Sequence, residues 1–545
     1  MHNLTTALKA AAGNVGEETN PNAWDIAYAD VDTDDTLAWD VSTAALVSYF
    51  NTASNVSSQH SDPYDVFFKP DGTKMYTVSR GNDTVYEYDL STAWMIATAS
   101  FNQSQSVSST SPQPRGLFFK SDGTKMYTAD SNQDEINEYD LSTAWDISTI
   151  SHNQEFSVSS QEGNPSAIFF KTDGTKMYMT GPSTDKIYEY DLSTGWDIST
   201  ASLNQSISVN GTSAGQENSP SGLYFKSDGT IMYFTGASRD RVIRHNLSTA
   251  WDISTASYSA EYNVSSQEGG TRGVHFKPDG TKFFIAGDVT GGVHQYAVGA
   301  IEFSVSTQTT SGVEVQFKAD GTKMFVLDNG NNEVLEYSLS TPWNISTATY
   351  TNNSFSVQSQ ENKNDGMYFK PDGSKMYIAG KDGDDVNEYD LSTDWDITTA
   401  SYQQNFSISS QIVDAGTLWF KPDGTKMYVA GFTNDRVSEY NLSTAWDVST
   451  ASHNQNLSIS STVGNPRGLS FKPDGTIMYI LDRGADDVNQ YTLNTAWDIS
   501  TASFSKNFLV QDADPLGFFF KPDGTKFYVM AELADKVLQY KILEE

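Results

Sequence analysis

Residues 420–429 read Phe-Lys-Pro-Asp-Gly-Thr-Lys-Met-Tyr-Val, and close variants of this stretch recur along the whole chain. Its Asp-Gly pair predicts a tight turn, because proline pre-sets φ and glycine takes a positive φ at no steric cost. The glycine occurs ten times, most often 51 residues apart, at Gly72, Gly123, Gly174, Gly229, Gly280, Gly321, Gly373, Gly424, Gly475 and Gly524. A period of this length indicates a repeat architecture rather than several unrelated domains.

Each repeat predicts four short β-strands. In the unit around Gly424, residues 417–421 form an aromatic run, and 426–431 and 437–440 follow as two further apolar segments. Residues 451–460 are rich in Ser, Asn and Gln, which is typical of an exposed outer strand. No segment keeps a helical period. We therefore predict an all-β protein, a β-propeller built of ten four-stranded blades of about 51 residues.

The sequence indicates the arrangement of the blades less directly than it indicates the strands within each blade. The last repeat stops after its third strand, and residues 50–58 resemble a fourth strand with no blade ahead of it. We expect this strand to complete the final blade, giving one ten-bladed ring over residues 39–545 after an N-terminal arm of residues 1–38. The Gly280–Gly321 step spans 41 residues and leaves a second arrangement open, two five-bladed propellers. We read 295–303 as a tight hairpin within one blade.

Composition excludes several classes of function. The 545 residues contain 34 Lys and Arg against 69 Asp and Glu, a formal net charge of −35. Such a charge repels phosphate backbones and anionic lipids, so we expect neither binding of nucleic acid nor insertion into a membrane. There is no cysteine, which removes disulfides and thiolate metal sites. The N-terminal residues lack the features of a signal peptide.

Candidate metal and catalytic groups are few. Asp30, Asp32 and Asp34 alternate along residues 30–35 and form a weak candidate cation site, but a solvated acidic loop is the favoured interpretation. The Trp-Asp-Ile-Ser-Thr tryptophans suit packing between blades better than sugar stacking. No catalytic template matches, so we expect no enzyme activity and no cofactor.

Binding residues are expected where the repeat varies. The residues that enter each first strand differ from blade to blade, and in a propeller this connection faces one end of the central channel. The candidate ligand-binding residues there are Arg115, Arg272, Asp365 and Arg467. Neutral drift in loops explains the variation equally well, and both interpretations stay open.

The unit Phe-Lys-Pro-Asp-Gly-Thr-Lys-Met-Tyr-Val with its Glu-Tyr-Asp-Leu-Ser-Thr continuation resembles the Tyr-Val-Thr-Asn-type propeller repeats of bacterial and archaeal surface proteins. More closely, it resembles propeller repeats in structural and tail-associated proteins of marine tailed bacteriophages. The resemblance implies a non-enzymatic virion protein that is made in the host cytoplasm. Its partners would be other virion proteins, reached through the N-terminal arm, and a host-surface glycan or receptor. A multivalent lectin is the main alternative, followed by a propeller hydrolase.

Overall fold

The computed structural model describes residues 29–33, 44–51, 62–510, 514–531 and 535–542. They form two compact units, which we name the N-unit (Thr33–Ala300) and the C-unit (Met1–Asp32 with Ile301–Glu545). Two strands precede the repeats: β1 is Ala29–Val31 in the C-unit and β2 is Ala44–Asn51 in the N-unit. No helix among the described residues is long and apolar enough to cross a membrane.

The N-unit contains five four-stranded antiparallel sheets in its described residues. Their strands are β3 Pro63–Phe68, β4 Lys74–Ser79, β5 Thr84–Leu90, β6 Ala99–Ser106, β7 Pro114–Phe119, β8 Lys125–Asp130, β9 Glu135–Leu141, β10 Ile150–Ser157, β11 Ala167–Phe170, β12 Lys176–Gly181, β13 Lys186–Leu192, β14 Ala201–Ser208, β15 Pro220–Phe225, β16 Ile231–Gly236, β17 Arg241–Leu247, β18 Ala256–Asn263, β19 Thr271–Phe276, β20 Lys282–Gly287 and β21 Gly292–Val298. The fifth sheet has the order β19-β20-β21-β2, so the early strand β2 supplies its outer edge.

The C-unit repeats this plan. Its strands are β22 Glu302–Ser304, β23 Gly312–Phe317, β24 Lys323–Asp328, β25 Glu333–Leu339, β26 Ala348–Ser356, β27 Asn364–Phe369, β28 Lys375–Gly380, β29 Asp385–Leu391, β30 Ala400–Ser407, β31 Ala415–Phe420, β32 Lys426–Gly431, β33 Arg436–Leu442, β34 Ala451–Ser458, β35 Pro466–Phe471, β36 Ile477–Asp482, β37 Asp487–Leu493, β38 Ala502–Leu509, β39 Pro515–Phe520, β40 Lys526–Ala531 and β41 Lys536–Ile542. In the last sheet β41 pairs with both β22 and β1.

Short 3-10 helices link the third and fourth strands of most sheets. They span Ile96–Thr98, Ile147–Thr149, Ile198–Thr200, Ile253–Thr255, Ile345–Thr347, Ile397–Thr399, Val448–Thr450 and Ile499–Thr501. Each follows a tryptophan with a positive φ, for example Trp446 at 68°. A Cβ on Gly424, itself at φ +73°, would lie 2.4 Å from the Trp446 indole. The Asp-Gly turn and the tryptophan of one repeat therefore form one packed unit. The Trp446 ring also lies 6.5 Å from that of Tyr377 in the neighbouring sheet, which is the packing between blades that we predicted.

Within each unit the sheets contact one another in succession through their first strands, which is consistent with a β-propeller. In the N-unit, β3, β7, β11, β15 and β19 contact in succession, and β19 contacts β3 again. In the C-unit, β23, β27, β31, β35 and β39 do the same, and β39 contacts β23. The first three strands of each sheet are largely buried, whereas the fourth alternates between intermediate and exposed residues.

This arrangement differs from the single ring of ten blades that we predicted, because the contacts return to their start within each unit. The strand β2 pairs with β21 of the N-unit, which corrects the expectation that residues near 50–58 complete the last blade. Residues 52–58 lie outside the described residues. The predicted hairpin over 295–303 is wrong as well, since β21 ends at Val298 and β22 pairs with β41. Gly299, at φ +72°, turns the chain between the two units.

Candidate functional site

The N-terminal ends of the first strands, which we call the mouth of each unit, bring charged side chains together. In the N-unit the ring of Tyr64 carries three guanidinium groups. The Arg272 carbon Cζ lies 4.9 Å from the ring centroid, that of Arg115 5.4 Å and that of Arg80 5.6 Å. Guanidinium groups are attracted to the negative face of an aromatic ring, so Tyr64 holds three like charges in one place.

The carboxylate of Asp288 offsets part of the positive charge of these guanidinium groups. The Oδ2 atom of Asp288 accepts hydrogen bonds from both Nε of Arg272 at 3.0 Å and Nη2 at 2.7 Å. Nε of Arg115 is buried and has no hydrogen-bond partner among the described residues. Burial lowers the pKa of Arg115, and the nearby Arg80 and Arg272 charges lower it further. The N-unit mouth therefore presents a cationic group whose hydrogen-bonding capacity is only partly used.

The C-unit mouth has a different charge arrangement. Asp365 lies at its centre and accepts hydrogen bonds from Arg467 at 3.2 Å and Asn329 at 3.3 Å, while the Lys381 ammonium lies 2.7 Å away. Burial raises the pKa of Asp365, and Lys381 and Arg467 oppose this without cancelling it. A cavity of about 180 Å³ opens here and also touches Arg483.

The four ligand-binding residues predicted from the sequence thus meet in two pairs. Arg115 and Arg272 share the Tyr64 ring in the N-unit, and Asp365 and Arg467 are in contact in the C-unit. All four lie at or next to the start of a first strand, which is where they were chosen from the sequence. Their role in binding stays a prediction.

Each unit also carries a buried carboxyl group just inside its mouth, which the sequence analysis missed. Asp65 accepts hydrogen bonds from the backbone N–H of Val66 and of Leu117, both at 2.9 Å. Burial nevertheless raises the pKa of Asp65 to about 8, and burial raises the pKa of Glu314 in the C-unit well above its usual value. Asp65 is therefore largely protonated at neutral pH, and the pKa of Glu314 is shifted in the same direction.

The signal for these carboxyl groups is present in the aligned repeats. The residues that replace Asp65 in the other N-unit first strands are Gly116, Ala167, Gly222 and Gly273, and those that replace Glu314 in the C-unit are Gly366, Thr417, Gly468 and Gly517. A Cβ on Gly273 would lie 2.1 Å from Oδ1 of Asp65, so the small residues leave room for the single carboxyl. An acid that interrupts a row of small residues in each unit is a candidate functional position.

Below Asp65, five aromatic side chains close the N-unit in a circle of edge-to-face contacts. The members are Phe67, Phe118, Phe169, Tyr224 and His275. Neighbouring ring centroids lie 4.9–5.4 Å apart with interplanar angles of 66–71°. Burial lowers the pKa of His275 to about 3, so its ring is neutral. Contacts of this geometry are favourable and leave the N-unit a cavity of about 10 Å³ beside Asp65.

The candidate metal residues have other partners. Asp32 is 6 % exposed and accepts hydrogen bonds from Lys526 and Gln539, both at 2.6 Å. Asp30 is buried and accepts from the Val31 backbone N–H at 3.0 Å, and Asp34 lies outside the described residues. The expected solvated loop is therefore wrong for Asp30 and Asp32. Over the described ranges, no group of three or more His, Asp or Glu residues could hold a metal ion.

Comparison with solved structures yields matches of low sequence identity. A Lactobacillus plantarum protein has 11 % identity and a TM-score of 0.28, covering 79 % of this chain and 94 % of its own. A putative 6-phosphogluconolactonase from Bacteroides fragilis has 13 % identity and a TM-score of 0.27, covering 74 % and 96 %. A β-propeller domain from Myceliophteria thermophila has 9 % identity and a TM-score of 0.27, covering 70 % and 98 %. No curated protein matches the sequence.

A family model matches two stretches of the chain, residues 26–242 and 307–498. Together they cover about three quarters of the sequence, and they contain most of the repeats of both units. The family's description specifies seven blades, whereas the described residues form five sheets in each unit. The chain belongs to the family described as lactonase, 7-bladed beta-propeller.

Proposed function

We propose that each unit is a five-bladed propeller and that the N-unit binds a small anionic molecule at its mouth. The observation that carries the proposal is the cluster of Arg80, Arg115 and Arg272 on Tyr64. Arg272 has a carboxylate partner, whereas Nε of Arg115 has none within the described part of the chain. The closed aromatic circle supports the five-bladed arrangement of this unit.

The ligand class follows from the chemistry of the cluster. Guanidinium groups bind carboxylates and phosphates through paired hydrogen bonds. Asp65, directly inside the mouth, is neutral at pH 7 and so does not repel an anion. In a chain of net charge −35, a local concentration of cations is unusual and indicates selection of a negative ligand. A carboxylate- or phosphate-bearing sugar fits this description.

Titration calorimetry tests the proposal with gluconate and glucose 6-phosphate, and with glucose as the neutral comparison. We expect both anions to bind and Arg115→Gln to weaken their binding at least tenfold, since a charge-assisted hydrogen bond contributes about 1.5–3 kcal/mol. The matched control Arg436→Gln, at the start of β33 in the C-unit, should leave the affinity unchanged. Equal binding of glucose, or full affinity in Arg115→Gln, would contradict the proposal.

Hydrolysis of a lactone is the second candidate. It is favoured by the family match and by Asp65, whose pKa of about 8 suits a general base in mildly alkaline solution. The cavity of about 10 Å³ beside it is the size of one water molecule. A pH-stat assay with glucono-δ-lactone would support this activity if the rate rises with an apparent pKa near 8 and is lost in Asp65→Asn. A rate equal to the uncatalysed one in the wild type would exclude this substrate.

The virion role stays a prediction from the resemblance, and the multivalent lectin stays its alternative. Mass spectrometry of purified phage particles tests the first, and absence of the protein from them would contradict it. A glycan array tests the second.

A further inference from the structure

The two units differ at the positions of the aromatic circle of the N-unit. The C-unit residues at the five positions of the aromatic circle are Gln316, Tyr368, Trp419, Ser470 and Phe519. Tyr368 and Trp419 keep the edge-to-face contact, with centroids 5.1 Å apart at 72°. Gln316 and Ser470 carry no ring, so two of the five rings that fill the N-unit are missing from the C-unit.

A cavity occupies the space next to this incomplete circle. Its volume is about 160 Å³, and it lies at the C-terminal ends of the first strands, away from the C-unit mouth. Tyr368, Trp395, Trp419, Phe471 and Trp497 are among its walls, together with four prolines. Of the described residues in the lining, Gln316 alone has an amide side chain. Rigid aromatic and proline walls with few polar groups describe a pre-formed site for a flat apolar molecule.

We propose that the C-unit binds a small molecule with a single aromatic ring in this cavity. The occupant is inferred from the N-unit, because the aromatic rings of Phe67 and Tyr224 fill the positions equivalent to Gln316 and Ser470 there, with favourable edge-to-face geometry. A dry protein cavity of about 150 Å³ lined by apolar side chains accepts benzene. The volume in the C-unit therefore suits one ring of the size of phenol.

The lining discriminates between ligand classes. A sugar would bury several hydroxyl groups against aromatic and proline carbons, and each unpaired hydroxyl carries a desolvation cost. A phenol has one hydroxyl group, and the Gln316 amide is available as its partner. The indole N–H of Trp419 is also buried without a hydrogen-bond partner in the described part of the chain. The site is independent of the anion proposed for the N-unit mouth.

Ligand-observed ¹⁹F NMR with 4-fluorophenol tests the proposal on the full chain. We expect saturable line broadening in the wild type, with a dissociation constant on the order of 1 mM for so small a ligand. Gln316→Phe restores the N-unit residue type at this position and should weaken binding at least tenfold by filling the cavity. Gln316→Leu, which adds no ring, should weaken it less.

A second variant and a stability measurement distinguish loss of binding from misfolding. Ser470→Phe fills the other missing position, and thermal unfolding verifies that both phenylalanine variants remain folded. In the N-unit, Phe118→Ser should open a new site and increase the amount of 4-fluorophenol bound. Absence of binding to the wild type, full binding to folded Gln316→Phe and Ser470→Phe, or displacement of 4-fluorophenol by glucose would each overturn the proposal.

Discussion

The hydroxyl of Tyr76 donates a hydrogen bond to the backbone carbonyl of Trp145 in the next sheet, with the oxygens 2.7 Å apart. The same bond recurs in both units, at Tyr127–Trp196, Tyr178–Trp251, Tyr377–Trp446, Tyr428–Trp497 and Tyr528–Trp343. Where Phe325 replaces the tyrosine, Nζ of Lys323 on the same strand donates to the Trp395 carbonyl at 2.9 Å. The carbonyl of the tryptophan is thus satisfied by whichever donor the second strand offers, and the bond links neighbouring sheets.

Removing one of these donors should destabilise the protein. Tyr127→Phe leaves the Trp196 carbonyl without its partner, and an unsatisfied buried acceptor costs about 1–3 kcal/mol. We expect a correspondingly lower free energy of unfolding in urea. Tyr402→Phe removes a hydroxyl from a side chain that is 41 % exposed and serves as the control. Equal stability of the two variants would show that the bond between sheets contributes little.

The space around Asp65 should not tolerate a methyl group. In Gly273→Ala the new Cβ would lie 2.1 Å from Oδ1 of Asp65 and 2.6 Å from its Cα, so the backbone of β3 must move. Overpacking of this kind typically costs about 1–3 kcal/mol. Gly269→Ala is the matched control, since its new methyl group would have no described atom within 4 Å. Thermal unfolding should separate the two variants, and identical melting curves would contradict the tight packing.

Asp65 should make stability fall as the pH rises. The folded state holds the proton up to about pH 8, whereas the unfolded chain releases it near the usual value of 3.8. Between these values the folded state binds more protons than the unfolded state. The contribution of the Asp65 carboxyl to the free energy of unfolding is therefore complete below pH 3.8 and is lost toward pH 8. The slope is at most about 1.4 kcal/mol per pH unit. Urea unfolding of the wild type and of Asp65→Asn from about pH 4.5 to 7.5 measures this slope. Parallel pH profiles of the two proteins would rule out the contribution of Asp65.

Asp32 should affect the pH dependence of stability in the opposite direction to Asp65. Burial alone would raise the pKa of Asp32, but Lys526, Gln539 and Lys541 together hold it below its usual value. The carboxylate therefore stabilises the folded state above the unfolded pKa, and this contribution is lost as the pH falls through the folded pKa.

Asp32→Asn should consequently weaken the attachment of β1 to β41 at neutral pH. We expect faster proteolysis near residues 29–33 in the variant, whereas the wild type should become equally sensitive only in acid. The same cleavage rate in both proteins at neutral pH would contradict the structural role of the ion pair.

The sequence by itself determined the repeating sheet. The Pro-Asp-Gly turn, the alternation of apolar segments and the polar fourth strand are local features, and the strands around Gly424 form where they predict. It also located the variable positions, because a residue that departs from a constant repeat is visible without coordinates. Arg115 and Arg272, in different repeats, were identified in this way.

Only the tertiary structure decided how the sheets are grouped and which side chains meet. Strand β2 carries the same local signal whether it pairs with β21 or with β41, so the division into two units depends on contacts between residues far apart in the chain. The raised pKa of Asp65 is likewise a consequence of burial, which depends on close packing against the neighbouring sheet at Gly273. Closure of the N-unit by aromatic rings, and the cavity where Gln316 and Ser470 interrupt them, follow from the same long-range packing.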